Sequence, residues 1–421
     1  MRVLTEWPGR LALWFAFLAI HVWLAFLVWD GPIQPFNDVI EIYRGWVEEG
    51  LRAHEWVGFQ LPFVYPPLAL LPMVIAAAGG TSVTAYGWTW LALVAILDAI
   101  AVLVLTLAGG TLARRRGTIA AWWWLAFLLL LGPVGLGRLE AVVTPIAIVG
   151  VAFIATRPTL ATALLTIGAW IKIWPAAIVG AMLVTLRERS RVLIAALSVT
   201  TAVLTAGLLV GGLLGGDVSH LLSFLGGQGA RGVQVESLLA APWLLQAALG
   251  SVEAAVSWDQ ALNTFEVIGP GVEIAAAAST PLMLIGIIVI GVLGLLAVRR
   301  GADRIDVLVS ASIALTCVLV VTNKVGSPQF AAWIAAPVVL AILARRGAVP
   351  AVGALLIAGL TQVVYPWGYS DVIAAQLPAV VVLELRNLLW VALLAWAIGE
   401  LVRAMRSGAR EAGRARSEVE A

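Results

Sequence analysis

Apolar runs of bilayer-spanning length recur from one end of the chain to the other, and this limits the possible folds more than any other feature. In hydrocarbon every backbone N–H and C=O needs an internal partner, so only helices and closed barrels span a membrane. Barrel strands alternate lipid-facing and lumen-facing residues with period two. Here the runs are continuous and rich in Leu and Ala, which selects helices. Apolar residues make up 62% of the 421 and charged residues 12%, with a mean hydropathy of +1.00. Soluble proteins are about half apolar and about a quarter charged. A soluble enzyme, a disordered chain and a fibrous chain are therefore excluded. The 19 tryptophans supply interfacial anchors. A formal net charge of +2 leaves no bulk positive potential for nucleic acid. The single cysteine, Cys317, lies in an apolar run and reads as a buried, inert thiol. The run from Leu11 to Trp29 lacks a small-residue cleavage site and ends in a bulky side chain, so it reads as a retained first span.

The periodicity predicts spans at 11–29, 83–109, 118–133, 141–156, 159–171, 175–186, 192–214, 274–298, 307–322, 330–344, 349–364 and 387–404. The pair 159–171 and 175–186 is either two short spans or one broken one. Segment 66–79 is apolar but short, opens on Pro66-Pro67 and contains Pro72. Charge decides its place. If it does not cross, there are twelve spans and 19 of the 26 Lys and Arg fall on one side. These are Arg2, Arg10, Arg114 to Arg116, Arg157, Arg187, Arg189, Arg191, Arg299, Arg300, Arg304, Arg345, Arg346 and the arginines from Arg403 onward. The positive-inside rule makes that side cytoplasmic. If 66–79 crosses, most of these clusters fall outside. The segment is therefore expected to lie in or dip into the outer leaflet. The result is one membrane domain, 1–421, with two long outer loops at 30–82 and 215–273. In the second loop, 238–249 and 251–262 read as amphipathic or interfacial helices.

This layout gathers the informative polar residues on the outer side. Asp38 follows Pro35-Phe36-Asn37 and precedes Glu41 and Tyr43. It suits a helix N-cap with Glu41 as reciprocal partner, and equally a carboxylate base at the membrane surface; the two roles are compatible. Tyr65-Pro66-Pro67 reads as a rigid turn. Lys172, between Trp170 and Trp174 at a proline break, suits an interface anchor or a phosphate ligand. Arg138 and Glu140 are close enough in sequence to neutralise each other, and Glu384 with Arg386 reads as an interfacial pair. Arg231-Gly232-Val233-Gln234-Val235-Glu236-Ser237, if extended, divides Arg231 from Gln234 and Glu236 by face. Asn323-Lys324-Val325-Gly326-Ser327-Pro328-Gln329 is denser in hydrogen-bonding groups than a plain connection requires. Asp98, within the second span, is expected to be satisfied structurally.

These pieces, with Thr361-Gln362-Val363-Val364-Tyr365-Pro366, resemble the actinobacterial membrane mannosyltransferases that use polyprenyl-phosphate-mannose. That family includes the α-1,2-mannosyltransferases of phosphatidylinositol-mannoside and lipomannan assembly. The resembling motifs run from residue 38 to residue 366. Arg138-Leu139-Glu140 departs from the Gln-Xaa-Asn type associated with such proteins. The resemblance implies a GT-C fold of about twelve transmembrane helices and a multi-pass plasma-membrane location. It implies an active site facing the periplasm or cell exterior, with the catalytic carboxylate in the first outer loop at Asp38. Donor or acceptor contacts then carry over to Tyr43, Tyr65, Lys172, Arg231, Gln234, Glu236, Asn323, Lys324 and Gln329. The donor would be a polyprenyl-phosphate sugar, and the acceptor a mannosylated lipid or lipoglycan.

A β-mannosyl phosphate donor and an α-mannoside product require inversion by one displacement. One carboxylate to take the acceptor proton and cations at the phosphate suffice, because the leaving group is already a stable anion. The three histidines have no metal-ligand spacing, and neither a metal nor another cofactor is expected. Three other readings share the membrane architecture: a transporter or lipid flippase, a noncatalytic assembly subunit, and a GT-C enzyme for another lipid-linked sugar. Loss of transfer in D38N separates the enzymes from the rest.

Overall fold

In a computed structural model, residues 7–107, 111–226, 231–260 and 262–420 are described. Helices dominate: α1 (Trp7–Asp30), α2 (Arg44–Ala53), α3 (Leu70–Ala76), α4 (Val83–Leu107), α5 (Thr111–Leu131), α6 (Glu140–Ala152), α7 (Pro158–Ile171), α8 (Ala176–Thr185), α9 (Arg189–Leu214) and α10 (Ala241–Ala248), then α11 (Val272–Arg299), α12 (Arg304–Val321), α13 (Ala335–Leu343), α14 (Ala348–Gln362), α15 (Tyr369–Ile373) and α16 (Leu377–Glu420). One antiparallel hairpin, β1 (Ala255–Asp259) and β2 (Thr264–Ile268), interrupts them after α10. Arg2 and residues 108–109 of the second expected span lie outside the described residues.

Among the described residues, eight helices are long and apolar enough to cross a membrane, as befits a multi-pass helical membrane protein. The expectation of twelve is corrected on this criterion. The difference lies in 141–156, 159–171, 175–186 and 330–344, which form helices shorter than 18 residues. α6 ends at Ala152 with 13 residues, about 20 Å of helix against a hydrocarbon core of about 30 Å. Residues 159–171 and 175–186 are two separate helices, because the chain leaves helical geometry at Lys172, whose backbone is extended. At 330–344, Pro328 opens a 3-10 stretch to Ile334 before α13 begins. Segment 66–79 is a short helical piece, with 3-10 turns flanking α3.

A second correction concerns 251–262. Residues 238–248 are helical as expected, but the next segment enters β1. Val256, Ser257 and Trp258 pair with Val267, Glu266 and Phe265. The Trp258 and Phe265 rings meet at 4.7 Å, a cross-strand contact that rewards the strand over the helix.

The chain divides into two compact units. The first comprises Met1–Ala176 and Arg191–Ala230; the second comprises Ala177–Ser190 and Arg231–Ala421. In the first unit α4 packs against α5 and α6, and α6 packs against α7. Buried Trp90, on α4, donates its indole N–H to the carbonyl of Leu136 at 2.9 Å. Asp98 is satisfied deep in this unit: His21 Nε2 on α1 and Trp124 Nε1 on α5 each lie 3.1 Å from its carboxylate. His21 Nδ1 is 2.9 Å from the Phe17 carbonyl, so the imidazole bridges its own helix to α4. The second unit is built on the packing of α12, α11 and α14 with α16. Its core includes Cys317, buried and unbridged.

Candidate functional site

The first unit collects Asp38, Tyr43, Tyr65 and Lys172 into one cluster and adds Arg138 and Glu140. Asp38 opens a single wide helical turn, Asp38–Tyr43, that runs directly into α2. The capping-box expectation is corrected. Asn37 already has helical φ and ψ, and neither it nor Asp38 caps a helix through its side chain. Instead the Asp38 carboxylate faces Arg138, with Nε 3.2 Å from Oδ2. Glu41 points elsewhere: its side chain is 56% exposed and lies 3.8 Å from Arg44, which makes a closer pair with Glu48 at 2.6 Å.

The expected pairing of Arg138 with Glu140 is also absent. Glu140 opens α6 and pairs with Lys172 at 3.0 Å. Lys172 stands in the extended break between α7 and α8, with its ammonium 4.7 Å from the centre of the Tyr65 ring. That is a cation–π contact, and in a desolvated position such a contact gains strength. Burial lowers the affinity of this amine for its proton. The neighbouring Glu140, Tyr65 and Asp38 outweigh that, and the pKa is raised overall, so the ammonium persists. Burial pushes the Tyr65 phenol up and the Tyr43 phenol well up, so both remain neutral O–H groups at working pH. Around them Tyr43, Trp46, Phe63 and Tyr65 form an aromatic wall, with Phe63 and Tyr65 edge to face at 5.7 Å.

Solvent access separates the two carboxylates. The Asp38 side chain is 25% exposed, whereas Glu140 is 1% exposed. Asp38 is thus the accessible carboxylate of the cluster, while Glu140 is enclosed against Lys172. Tyr65 is held by the turn before Pro67, and proline there fixes the approach to the following helix.

The remaining sequence-selected residues, Arg231, Gln234, Glu236, Asn323, Lys324 and Gln329, belong to the second unit. Segment 231–237 is extended there and lies along β2: Val235 N–H donates to the Phe265 carbonyl at 3.0 Å, and Val267 N–H to Val233 at 2.9 Å. Both faces of this strip are buried, Val233 and Val235 on one side and Gln234 and Glu236 on the other. Segment 323–329 docks on it. Gln234 N–H donates to the Lys324 carbonyl at 2.9 Å, and Ser237 Oγ to the Asn323 carbonyl at 2.6 Å. Gly326 is required at this crossing, because a Cβ would collide with the backbone of Glu236 and Ser237.

Several of these side chains serve the crossing itself. Asn323 Oδ1 accepts from Val325 N–H at 2.9 Å, closing its own turn. Lys324 is buried, and its backbone N–H donates to Ser279 Oγ at 3.0 Å. Glu236 pairs with Arg386 at 2.7 Å, and Arg386 also donates to the Glu236 carbonyl and to Asn387 Oδ1, both at 2.9 Å. The expected Glu384–Arg386 pair is thereby replaced; Glu384 accepts from Asn387 at 3.3 Å instead. Two selected side chains keep hydrogen-bonding capacity: Arg231 Nε and Gln329 Oε1 are buried without a partner among the described residues. Buried polar groups are generally satisfied, so such atoms mark places open to further contacts.

Arg138 and Glu140 are the members of the first-unit cluster that sequence reasoning left out, and Arg386 is the counter-charge of Glu236 that it missed in the second unit. Their signal was present as single charges in apolar surroundings. What the sequence could not show was which distant residue neutralises each. Among the described residues no group of His, Cys, Asp and Glu side chains is arranged to hold a metal. Comparison with protein-family models, with curated proteins and with solved structures finds no match to this chain.

Proposed function

We propose that the protein is an inverting membrane glycosyltransferase that moves a sugar, read as mannose, from a polyprenyl-phosphate donor to a mannosylated lipid or lipoglycan on the outer side of the membrane. The observation that carries this reading is the first-unit cluster. A partly exposed carboxylate on the first outer loop shares one site with a buried ammonium and a wall of aromatic rings. The motif resemblance supplies the donor class, the GT-C fold and the α-1,2 linkage, and it rests on the short segments quoted above.

In this mechanism an acceptor hydroxyl oxygen bonds to the anomeric carbon as the carbon–oxygen bond to phosphate breaks. The bonding pair leaves with the phosphate oxygen, and Asp38 takes the hydroxyl proton. Lys172 binds the donor phosphate through charge-assisted hydrogen bonds. The motif resemblance carries further donor or acceptor contacts to Arg231, Lys324 and Gln329. Tyr43 and Tyr65, neutral and aromatic, line the sugar position. The isoprenoid tail stays in lipid, with segment 66–79 at its entrance.

The direct test incubates purified protein with a polyprenyl-phosphate-mannose donor and a mannosylated lipid acceptor, and reads the product's anomeric configuration by NMR. A new α-mannoside from the β-linked donor is expected. Movement of the lipid between leaflets with no sugar transfer assigns a flippase instead. The orientation has its own check. With Cys317 replaced, a cysteine at position 38 should react with a membrane-impermeant reagent in cells stripped of their outer barrier, and one at position 115 should not. The reverse pattern overturns the outward placement.

A further inference from the structure

We propose that Arg138-Leu139-Glu140 is a two-ended positioning segment. On this proposal Arg138 orients the Asp38 carboxylate, Glu140 orients the Lys172 ammonium, and the short link between them sets the spacing of base and cation. The proposal rests on reading Asp38 as the base.

The segment reaches two otherwise separate stretches of the first unit. At one end the Arg138 guanidinium binds the first outer loop twice: Nε meets Asp38 Oδ2 at 3.2 Å, and Nη1 donates to the Pro35 carbonyl at 2.7 Å. Nη1 also donates to the Gly137 carbonyl at 2.9 Å, which fixes the guanidinium against its own backbone. Gly137 lets the two strands of chain approach: a Cβ there would stand 3.0 Å from the Pro35 carbonyl oxygen. At the other end Glu140, almost fully buried, holds the ammonium of the α7–α8 break at 3.0 Å.

The chemistry assigns the two ends different tasks. A planar guanidinium that grips both a carboxylate and a nearby carbonyl fixes a direction as well as a charge, which a lysine cannot reproduce. With Asp38 Oδ2 held by Arg138, Oδ1 is the oxygen left to meet an acceptor hydroxyl. Lys172 is a flexible point charge with three donors. One donor is directed to Glu140 and the ammonium rests against the Tyr65 ring, so its position is set by Glu140 from one side and by Tyr65 from the other. Arg138 and Glu140 act through Asp38 and Lys172 and are positioning residues.

The test separates the two ends by kinetics. Misplacing a catalytic group by a small distance costs rate, and losing a ground-state binding contact raises KM. R138Q is expected to lower kcat by about tenfold or more with donor KM within about twofold of wild type. E140Q is expected to raise donor KM by about tenfold with kcat within about threefold. R138K keeps the charge and loses the fork, so it should recover part of kcat; it also serves if R138Q does not fold. R138Q added to D38N should cause no further loss. A merely structural role moves kcat and KM together in both variants, and that outcome overturns the proposal, as do wild-type parameters in both. Full transfer by D38N removes Asp38 as the base. Loss in D38N with an unchanged R138Q removes only the positioning role.

Discussion

The two units each enclose charges, but they dispose of them differently. In the first, Asp38 meets Arg138 with a quarter of its side chain still exposed. In the second, Glu236 and Arg386 are 3% and 6% exposed, and Arg386 also binds a main-chain carbonyl and Asn387. The first arrangement leaves a carboxylate that a substrate can touch. The second fastens the strip 231–237 to α16 and leaves its carboxylate no outward face. Ion pairs alike in chemistry, at 3.2 and 2.7 Å, thus serve different ends, and access is what separates them. A buried ion pair carries little net stabilisation against well-packed apolar residues, yet breaking it strands a charge at high cost.

That asymmetry sets the largest expected effect. R386M should destabilise the protein by about 3–5 kcal/mol, because Glu236 is left buried without its cation. Thermal unfolding in detergent measures this. R138Q, whose partner reaches solvent, should shift unfolding far less while slowing transfer. Equal destabilisation by both removes the distinction between an open and a closed pair.

The next effect concerns the second unit's part in donor use. On the proposed donor-binding role of Lys324, K324M should slow transfer by roughly 10²-fold. R52M is the control. Arg52 pairs with Glu49 on an exposed face at 2.8 Å, and such surface pairs contribute about 0–1 kcal/mol. Initial rates at varied donor concentration decide the matter. Equally small effects assign Lys324 to the docking of 323–329 on 231–237.

The smallest effect is on stability at alkaline pH. The raised pKa values of Lys172 and Tyr65 lie above their ordinary values of 10.5 and 10.0. The folded state therefore holds protons that the unfolded chain releases first. Their stabilisation is complete below about pH 10 and is lost as pH rises through the folded values. K172M should lower stability at every pH, because Glu140 is left buried without its cation, and on top of that flatten the alkaline fall in unfolding temperature. An unchanged slope places the Lys172 contribution elsewhere.

Much of this was legible in the chain. The helical membrane class followed from continuous apolar runs, and Asp38, Tyr43 and Tyr65 of segment 30–82 do converge with Lys172 of the α7–α8 break. The misreadings have a common physical origin. Arg138 with Glu140, and Glu384 with Arg386, were paired by proximity in sequence. Side chains two residues apart on a helix diverge around its axis, so Glu384 and Arg386 on α16 cannot face each other well. Their partners are set by tertiary packing, which local spacing does not encode. Asp38 looked like a cap because Pro35 and Asn37 signal a helix start. The helical backbone begins at or before Asn37, and the Arg138 charge draws the carboxylate away from the backbone. Residues 251–262 looked amphipathic. Edge pairing with Thr264–Ile268, and the left-handed turn residue Asn263, make Ala255–Asp259 a strand instead. The span count differed because prolines and an extended lysine divide apolar sequence that hydropathy alone reads as continuous.

Single-turnover transfer by D38N against E41Q, with donor binding measured separately on the same folded proteins, tests the central claim most directly. The isosteric amide keeps the shape of Asp38 but cannot accept the hydroxyl proton. D38N should therefore lose about 10²-fold or more in rate while still binding donor. E41Q should stay close to wild type, because Glu41 projects outward beside Arg44. Near wild-type transfer by D38N, or complete loss in E41Q alone, contradicts the assignment of Asp38 as the base.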